Sequence, residues 1–299
     1  MNRSRRSVLV LPGSSRRMAE KATTLDAAEV VLDLEDAVPS DPLEKERARG
    51  LLAETLRELD FGARTVAVRI NSVRGPYGVR DVLALVPHLA DRIACLVVPK
   101  VGSVSEVAFI DHLLTALEAE GQISRPLGLE LQIEDPSGLE SVAEIAAASR
   151  RTEALIFGPG DFAAAMGMPQ LTIGQETAAY PGDIWHYALF HIAVAAKAHG
   201  LQAIDGPCSD IADLALLDRS SQKAAQLGYD GKWTIHPSQL EAVNRAFTPD
   251  SEQIHRAEQI LAALDDHGGA SRMGGEMVDE AHGRMAREVL LRAQRPDQK

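Results

Sequence analysis

The chain has 299 residues and a formal charge of −12, from 31 Lys and Arg against 43 Asp and Glu, which argues against nucleic acid or an anionic membrane as its main partner. With 45% hydrophobic, 25% charged and 4% aromatic residues, disorder is excluded as the main state, and the length suits one large α/β barrel or two smaller domains. Cys95 and Cys208 lie far apart with no ligand spacing around them, which excludes a disulfide frame and points to reduced thiols in a reducing compartment.

The stretch from Met1 to Ser7 is basic, but the apolar run behind it, Val8 to Leu11, ends at Pro12-Gly13. That is too short for a signal-peptide core or a membrane span, so a soluble cytoplasmic protein is expected. Short apolar, β-branched runs follow in order at Ser7–Leu11, Glu29–Leu34, Thr65–Ile70, Cys95–Val98, Leu127–Ile133, Ala154–Phe157, Leu201–Ile204 and Trp233–Ile235. Between them lie segments rich in Ala, Leu and Glu, such as Leu43–Leu59, Val104–Glu120 and Ile184–His199, long enough for helical returns. Continuous apolar strands are buried on both faces, as in a parallel sheet covered by helices. Eight such units predict a (β/α)8 TIM barrel over residues 1–248. After that the pattern changes: Gln253–Leu264 reads as a helix, His267–Gly275 as a flexible link and Met277–Ala293 as a second helix. This C-terminal segment, residues 249–299, either packs as a helix that closes the barrel bottom or forms a lid hinged at its glycines.

In such a barrel the chemistry sits at the C-terminal ends of the strands. Here the strands end in Pro12-Gly13, Asp33-Leu-Glu35-Asp36, Arg69-Ile-Asn71, Pro99-Lys100, Glu134-Asp135, Gly158-Pro-Gly-Asp161, Asp205-Gly-Pro207 and His236-Pro237. Glu134 and Asp161 follow neighbouring strands, and two carboxylates so placed make half of an octahedral oxygen site for Mg2+; alternatively Asp161 caps the helix behind it. Arg69 aims a permanent charge at the pocket, suited to a carboxylate or a developing enolate oxygen, or pairs with Glu35 or Asp36. Asp33 and Glu35 share a face by period-two alternation, and such crowding raises a pKa or demands cations.

The segment Gly158-Pro-Gly160-Asp-Phe-Ala163 formally fits the G-x-G-x-x-A nucleotide fingerprint, but a carboxylate directly after the second glycine repels a pyrophosphate. Pro12-Gly-Ser-Ser-Arg-Arg17 with Lys21 is the better phosphate candidate, or else a solvated basic helix start. His186, His191 and His199 fall on one predicted helix without zinc spacing. Trp185 and Tyr187 read as core filler, and His236 as a hydrogen-bonded residue at the rim.

Taken together, Arg6–Gly13, Leu32-Asp-Leu-Glu-Asp-Ala-Val38, Val68-Arg-Ile-Asn71, Val98-Pro-Lys-Val101, Ile133-Glu134, Gly160-Asp-Phe162, Gly231-Lys232 and Ile235-His-Pro-Ser-Gln239 resemble the citrate lyase β-subunit-like, HpcH/HpaI aldolase superfamily. Tyr180–Tyr187, Ala203–Pro207 and Gly275-Glu-Met-Val-Asp279 are most similar to its malyl-CoA and citramalyl-CoA lyases. The resemblance implies a TIM barrel in a homo-oligomer, a trimer or hexamer, with Mg2+ (or Mn2+) on Glu134 and Asp161. It implies Arg69 as the contact to the bound acid or thioester oxygen, with Glu35 and Asp36 as catalytic neighbours. Asp279 matches an aspartate delivered from a neighbouring subunit's lid, which favours the functional reading of the tail. Lys21 matches a lysine that contacts coenzyme A, and Arg16 lies one position from an arginine of the lyases. The usual Ile-Glu-Thr or Ile-Glu-Ser is Ile133-Glu-Asp135 here, an extra acid that bears on substrate preference.

The function so implied is Mg2+-dependent cleavage of a 3-hydroxy-3-carboxyacyl-CoA into acetyl- or propionyl-CoA and a small 2-oxo acid, glyoxylate or pyruvate. The pocket beside Glu35 and Trp185 is expected to choose between these acids. Rival readings are a citrate lyase β subunit, a malyl-CoA thioesterase, a retro-aldolase on free acids, and a non-catalytic nucleotide- or CoA-binding module.

Overall fold

The computed structural model describes residues 3–294 apart from 122, 124, 170, 176, 178, 179, 268, 269 and 274. The chain alternates strand and helix from β1 (Ser7–Pro12) through α1 (Arg16–Ala22), β2 (Glu29–Asp33), α2 (Pro42–Glu58), β3 (Thr65–Arg69) and α3 (Gly78–Leu89) to β4 (Cys95–Val98) and α4 (Val104–Ala119). The second half runs β5 (Gly128–Ile133), α5 (Pro136–Glu140), α6 (Val142–Ala147), β6 (Thr152–Phe157), α7 (Pro159–Ala165), α8 (His186–Ala198), β7 (Gln202–Asp205), α9 (Leu214–Gln226), β8 (Gly231–Thr234) and α10 (Leu240–Phe247). All strand pairs are parallel and β8 returns to β1, which closes the expected (β/α)8 barrel.

Alternation along each strand divides the apolar residues between two cores. Val8, Val31, Ala67, Val97, Ile156, Ile204 and Trp233 fill the lumen, while Leu9, Val30, Leu32, Val68, Leu96 and Leu131 pack outward against the helices. The helices start where their caps dictate. Asp41 accepts hydrogen bonds from the Leu43 and Glu44 amides ahead of α2, with Pro42 in its first turn, and Asp213 does the same for Leu216 ahead of α9.

At its N-terminal end the lumen is closed by charge. Arg5 is fully buried, with Glu29, Glu130 and Glu153 at 3.0, 2.9 and 2.8 Å. Burial, and then the neighbouring Glu130, push the Glu29 carboxyl well above its usual range. The ring is sealed at Gly231, where any Cβ would run into the Arg5 carbonyl oxygen.

The tail differs in detail from the expectation. α11 (Ser251–His267) matches the first predicted helix, but part of the expected link forms an antiparallel hairpin, β9 (Ser271–Met273) with β10 (Glu276–Val278). Met277 and Val278 therefore belong to a strand, and α12 (Glu280–Gln294) begins only after Asp279. The rest of the expected link includes residues outside the described ones. At the far end of α12, Arg292 lies 3.5 Å from Asp230, just ahead of β8. Among the described residues no helix is long and apolar enough to cross a membrane, and both cysteines are free and buried.

Candidate active site

In the parallel register Asp33 stands beside Arg69, so the last residue of β2 and the last of β3 meet at the C-terminal rim. Asp33 accepts both arms of the guanidinium, at 2.8 and 2.6 Å, and the Glu35 and Ala37 amides at 2.8 and 3.0 Å. The Asp33 carboxylate thus fixes Arg69 and also folds the turn that carries Glu35 and Asp36. Arg69 further reaches Glu35 at 3.1 Å and Asp36 at 3.7 Å. Its guanidinium lies 5.3 Å from the ring centroid of Trp233, a cation–π contact from the β8 side. The pairing that the sequence offered for Arg69 exists, but its main partner is Asp33.

Glu134 directly follows β5 and is 2% exposed. Its Oε1 accepts the Lys100 amide at 2.7 Å and its Oε2 accepts Gln132 Nε2 at 2.6 Å. Gly158 sits so close that a Cβ there would overlap the Glu134 carboxylate. Burial, then the charges of Glu35 and Asp161, hold the Glu134 carboxyl well above its ordinary range. Asp161 lies in the first turn of α7 and stays 42% exposed at its side chain.

Lys100 links the two acids. Its amide is on Glu134, and its ammonium lies 3.5 Å from Asp161, 3.5 Å from Asp36 and 2.5 Å from Glu35. It is the only non-glycine among the described residues with positive φ, 55°, a backbone strain of the kind that gathers at functional sites. Contact with Glu35 raises the Lys100 pKa against the desolvation that would lower it. Burial raises the Glu35 carboxyl even though Arg69 and Lys100 pull it down.

Asp33, Asp36, Arg69, Glu134 and Asp161 line one cavity of about 550 Å³ with Val10, Met18, Gln132, Ile173, Pro207 and Trp233, and Glu35 and Lys100 touch this lining from behind. A larger open groove, about 950 Å³, lies at the N-terminal end of the barrel. Of its lining charges, Arg151 pairs with Asp111 and with Glu118, and Glu153 pairs with Arg3 and Arg5. At the rim of the first cavity five carboxyl groups, Asp33, Glu35, Asp36, Glu134 and Asp161, surround two cations, Arg69 and Lys100. An excess of hard oxygen donors fits a divalent ion such as Mg2+, which takes one or two protein carboxylates and completes its shell elsewhere. Among the described residues no group of three or more His, Cys, Asp or Glu side chains is arranged as a metal cage.

Other expected residues lie outside this constellation. Arg16 and Lys21 are on α1, whose Met18 lines the cavity while they do not. Arg16 pairs with Glu20 at 2.9 Å and with Glu58. Asp279 is the cap of α12, accepting the Ala281 amide at 3.0 Å and lying 2.8 Å from His282 Nδ1, and it does not line the cavity of its own chain.

Asp135 turns away, capping α5 at the Gly138 amide and meeting Arg74 at 3.2 Å. Trp185 is buried against Phe157, with ring centroids 5.9 Å apart, and does not border the cavity; the indole there is Trp233. Tyr187 is 71% exposed instead of core. His236 accepts the Ser238 amide at the rim, as expected.

Comparison with known proteins matches residues 6–237 to the HpcH/HpaI aldolase/citrate lyase model. The chain belongs to the HpcH/HpaI aldolase/citrate lyase family. Within this family it is 37% identical to an L-malyl-CoA/beta-methylmalyl-CoA lyase of Cereibacter sphaeroides, covering 97% of this chain and 94% of the relative. It is 33% identical to a citrate lyase subunit beta of Leuconostoc mesenteroides, covering 98% and 92%. Among solved structures, CitE from Mycobacterium tuberculosis in complex with magnesium, acetoacetate and coenzyme A superposes with a TM-score of 0.77 at 28% identity, covering 98% of this chain and 99% of that one.

Sequence reasoning on this HpcH/HpaI family chain placed Lys100 among the strand ends but gave it no role, and it missed Gln132 and Trp233 as parts of the site. For Gln132 the signal was present, because it lies midway between Glu130 and Glu134 in a period-two run. The Lys100 conformation left no trace in the residue type.

Proposed function

We propose that this protein is a CoA-ester lyase that breaks, and in reverse forms, the carbon–carbon bond of a 3-hydroxy-3-carboxyacyl-CoA such as malyl-CoA, methylmalyl-CoA or citramalyl-CoA. The products are acetyl- or propionyl-CoA and glyoxylate or pyruvate. The observation that carries this reading is the shared cavity of Glu134, Asp161 and Arg69 at the C-terminal end of the closed barrel. The 37% identity to a malyl-CoA lyase supports it, and the magnesium and coenzyme A in the related CitE complex support the cofactors.

Glu134 and Asp161 would hold Mg2+, or Mn2+ in its place. When bound, that ion supplies Lewis acidity toward the hydroxyl and carboxylate of the substrate. The chain's own groups do the rest. Arg69, immobilised by Asp33 and by the Trp233 ring, presents fixed positive charge where the thioester oxygen turns into an enolate oxygen. Lys100, Glu35 and Asp36 form a charge cluster beside it that balances the acids and receives or returns the hydroxyl proton.

In cleavage the hydroxyl proton leaves, the carbon–carbon electron pair moves to the α-carbon of the acyl-CoA, and that carbon then takes a proton. Asp279, brought by a neighbouring copy in a trimer or hexamer, is the partner for this last transfer. In its own chain that carboxyl is held below the usual range by contact with His282, so it stands ionised before it docks on the neighbour. Arg16 and Lys21 would exchange solvent and acidic partners for the phosphates of coenzyme A.

The test is a product assay on the purified protein with malyl-CoA, β-methylmalyl-CoA and citramalyl-CoA, each with and without Mg2+. Mg2+-dependent release of a 2-oxo acid is expected. Free malate with free coenzyme A selects the thioesterase reading, and cleavage of a citryl thioester alone selects the citrate lyase β-subunit reading.

A further inference from the structure

The segment 171–175 between α7 and α8 has no regular structure, yet it is pinned. The Ile173 amide donates to Ser209 Oγ at 2.9 Å, and the Ser209 amide donates back to the Ile173 carbonyl at 3.1 Å. Gly174 has φ of +80°, and a Cβ on it would come within 3.0 Å of Cys208 Sγ and 3.3 Å of the Pro207 carbonyl. The turn therefore rides directly on the loop after β7, and that loop's Pro207 and Ser209 also line the cavity.

So held, Ile173 leans its side chain on the residue before Asp161: a Cβ on Gly160 would stand 2.9 Å from Ile173 Cδ1. The other projecting apolar side chains of the cavity, Val10, Leu11, Met18, Trp233 and Ile235, come from β1, α1, β8 and the residue after it, and β1 lies across the ring from β5. Ile173 thus brings a branched apolar side chain to the acidic side, beside the rings of Pro159 and Pro207.

We infer that Ile173 sets which 2-oxo acid this enzyme handles, by abutting the third substituent of the substrate's hydroxyl-bearing carbon; the inference rests on the lyase reading above. That carbon carries an oxygen and a carboxylate, both of which belong on the Glu134–Asp161 side, and either hydrogen, as in malyl-CoA, or methyl, as in citramalyl-CoA. The third substituent then meets the nearest apolar wall on that side. An isoleucine whose backbone is pinned there accepts hydrogen and resists methyl, so glyoxylate is preferred to pyruvate. One methyl in a fixed apolar pocket discriminates by roughly 10- to 200-fold.

The experiment measures kcat/KM for malyl-CoA and citramalyl-CoA in the native protein, Ile173→Val and Ile173→Ala, together with the rise in melting temperature given by glyoxylate or pyruvate in the presence of Mg2+. The native protein is expected to favour malyl-CoA and to be stabilised more by glyoxylate. Ile173→Ala raises the citramalyl-to-malyl ratio by about tenfold or more, brings the pyruvate-induced melting shift up to that of glyoxylate, and Ile173→Val moves both part of the way. Ser209→Ala, which frees the Ile173 amide, shifts the ratio in the same direction. An unchanged ratio with both rates falling together, or a pyruvate shift that stays below the glyoxylate shift in Ile173→Ala, overturns the role of Ile173 and leaves the lyase reading standing. No turnover of either substrate by the native protein overturns that reading and this assignment with it.

Discussion

Replacing Glu134 by Gln separates what the acid does for stability from what it does for ion binding. The carboxylate is 2% exposed and is flanked by the charges of Glu35 and Asp161, which hold its pKa well above the 4.5 of an unfolded glutamate. Between those two values the folded state keeps a proton that the unfolded chain has released. Native stability therefore falls as pH rises through that window, by about 1.4 kcal/mol per unit of lift. Glutamine does not titrate. Its carbonyl can still accept the Lys100 amide, and its NH2 can donate to Gln132 Oε1, which has no hydrogen-bond partner now, once the Gln132 amide flips.

The hydrogen bonds are thus nearly conserved and the repulsion is gone. Without metal, Glu134→Gln is expected to match the native protein near pH 4.5 and to exceed it at pH 8 by about 1.4 kcal/mol for each unit of lift, with a correspondingly higher melting temperature. Mg2+ at 100 times its Kd stabilises the native protein by about 2.7 kcal/mol and leaves the variant unmoved. Scanning calorimetry from pH 4.5 to 8, with and without Mg2+, measures both effects. A variant that melts below the native protein at pH 8 and keeps its Mg2+ response refutes the reasoning.

Arg69→Lys retains the charge but loses the two-armed grip of Asp33, and turnover is expected to fall by about 10² to 10³ with little change in KM; steady-state kinetics with a cleaved thioester decides it. Asp279→Asn keeps an acceptor for the Ala281 amide, so melting stays near native while lyase turnover collapses; near-native turnover would remove Asp279 from the mechanism. Lys21→Ala raises KM for the CoA ester and leaves kcat largely intact, read from the same assay. Glu29→Gln in the floor of the barrel removes a buried carboxyl whose pKa lies well above normal, so its advantage over the native protein, about 1 kcal/mol or more per unit of lift, is absent below pH 4.5 and grows toward pH 8 in denaturant titrations.

The barrel was legible in the sequence because its strands are buried on both faces, so Glu29–Leu34 or Cys95–Val98 could be found by apolarity and β-branching alone. The rim positions of Glu134, Asp161 and Arg69 were legible for the same reason: in parallel strands the polar residues at or just beyond the end of the apolar run stand at the rim. What stayed hidden depends on register and on loop geometry. That Asp33 is the principal partner of Arg69 follows from the β2–β3 pairing, which strand composition does not encode. Lys100 bends back into the acids through a left-handed backbone that a lysine does not advertise. Ile173 reaches the cavity through hydrogen bonds to Ser209, 36 positions along the chain. In the tail, the apolar Met277 and Val278 were read as helical because a three-residue strand is too short to establish a period of two.

The seam between β1 and β8 ties together residues that are far apart in the chain: Thr234 Oγ1 donates to the Val8 carbonyl across 226 positions. On a ribosome that adds about 5–20 residues per second, the first strand waits on the order of 10 to 50 s for its second neighbour. Throughout that interval its outer amides and carbonyls form an open edge, ready to pair with any stray strand. Until the last stave emerges, that edge is where pairing with another chain would begin.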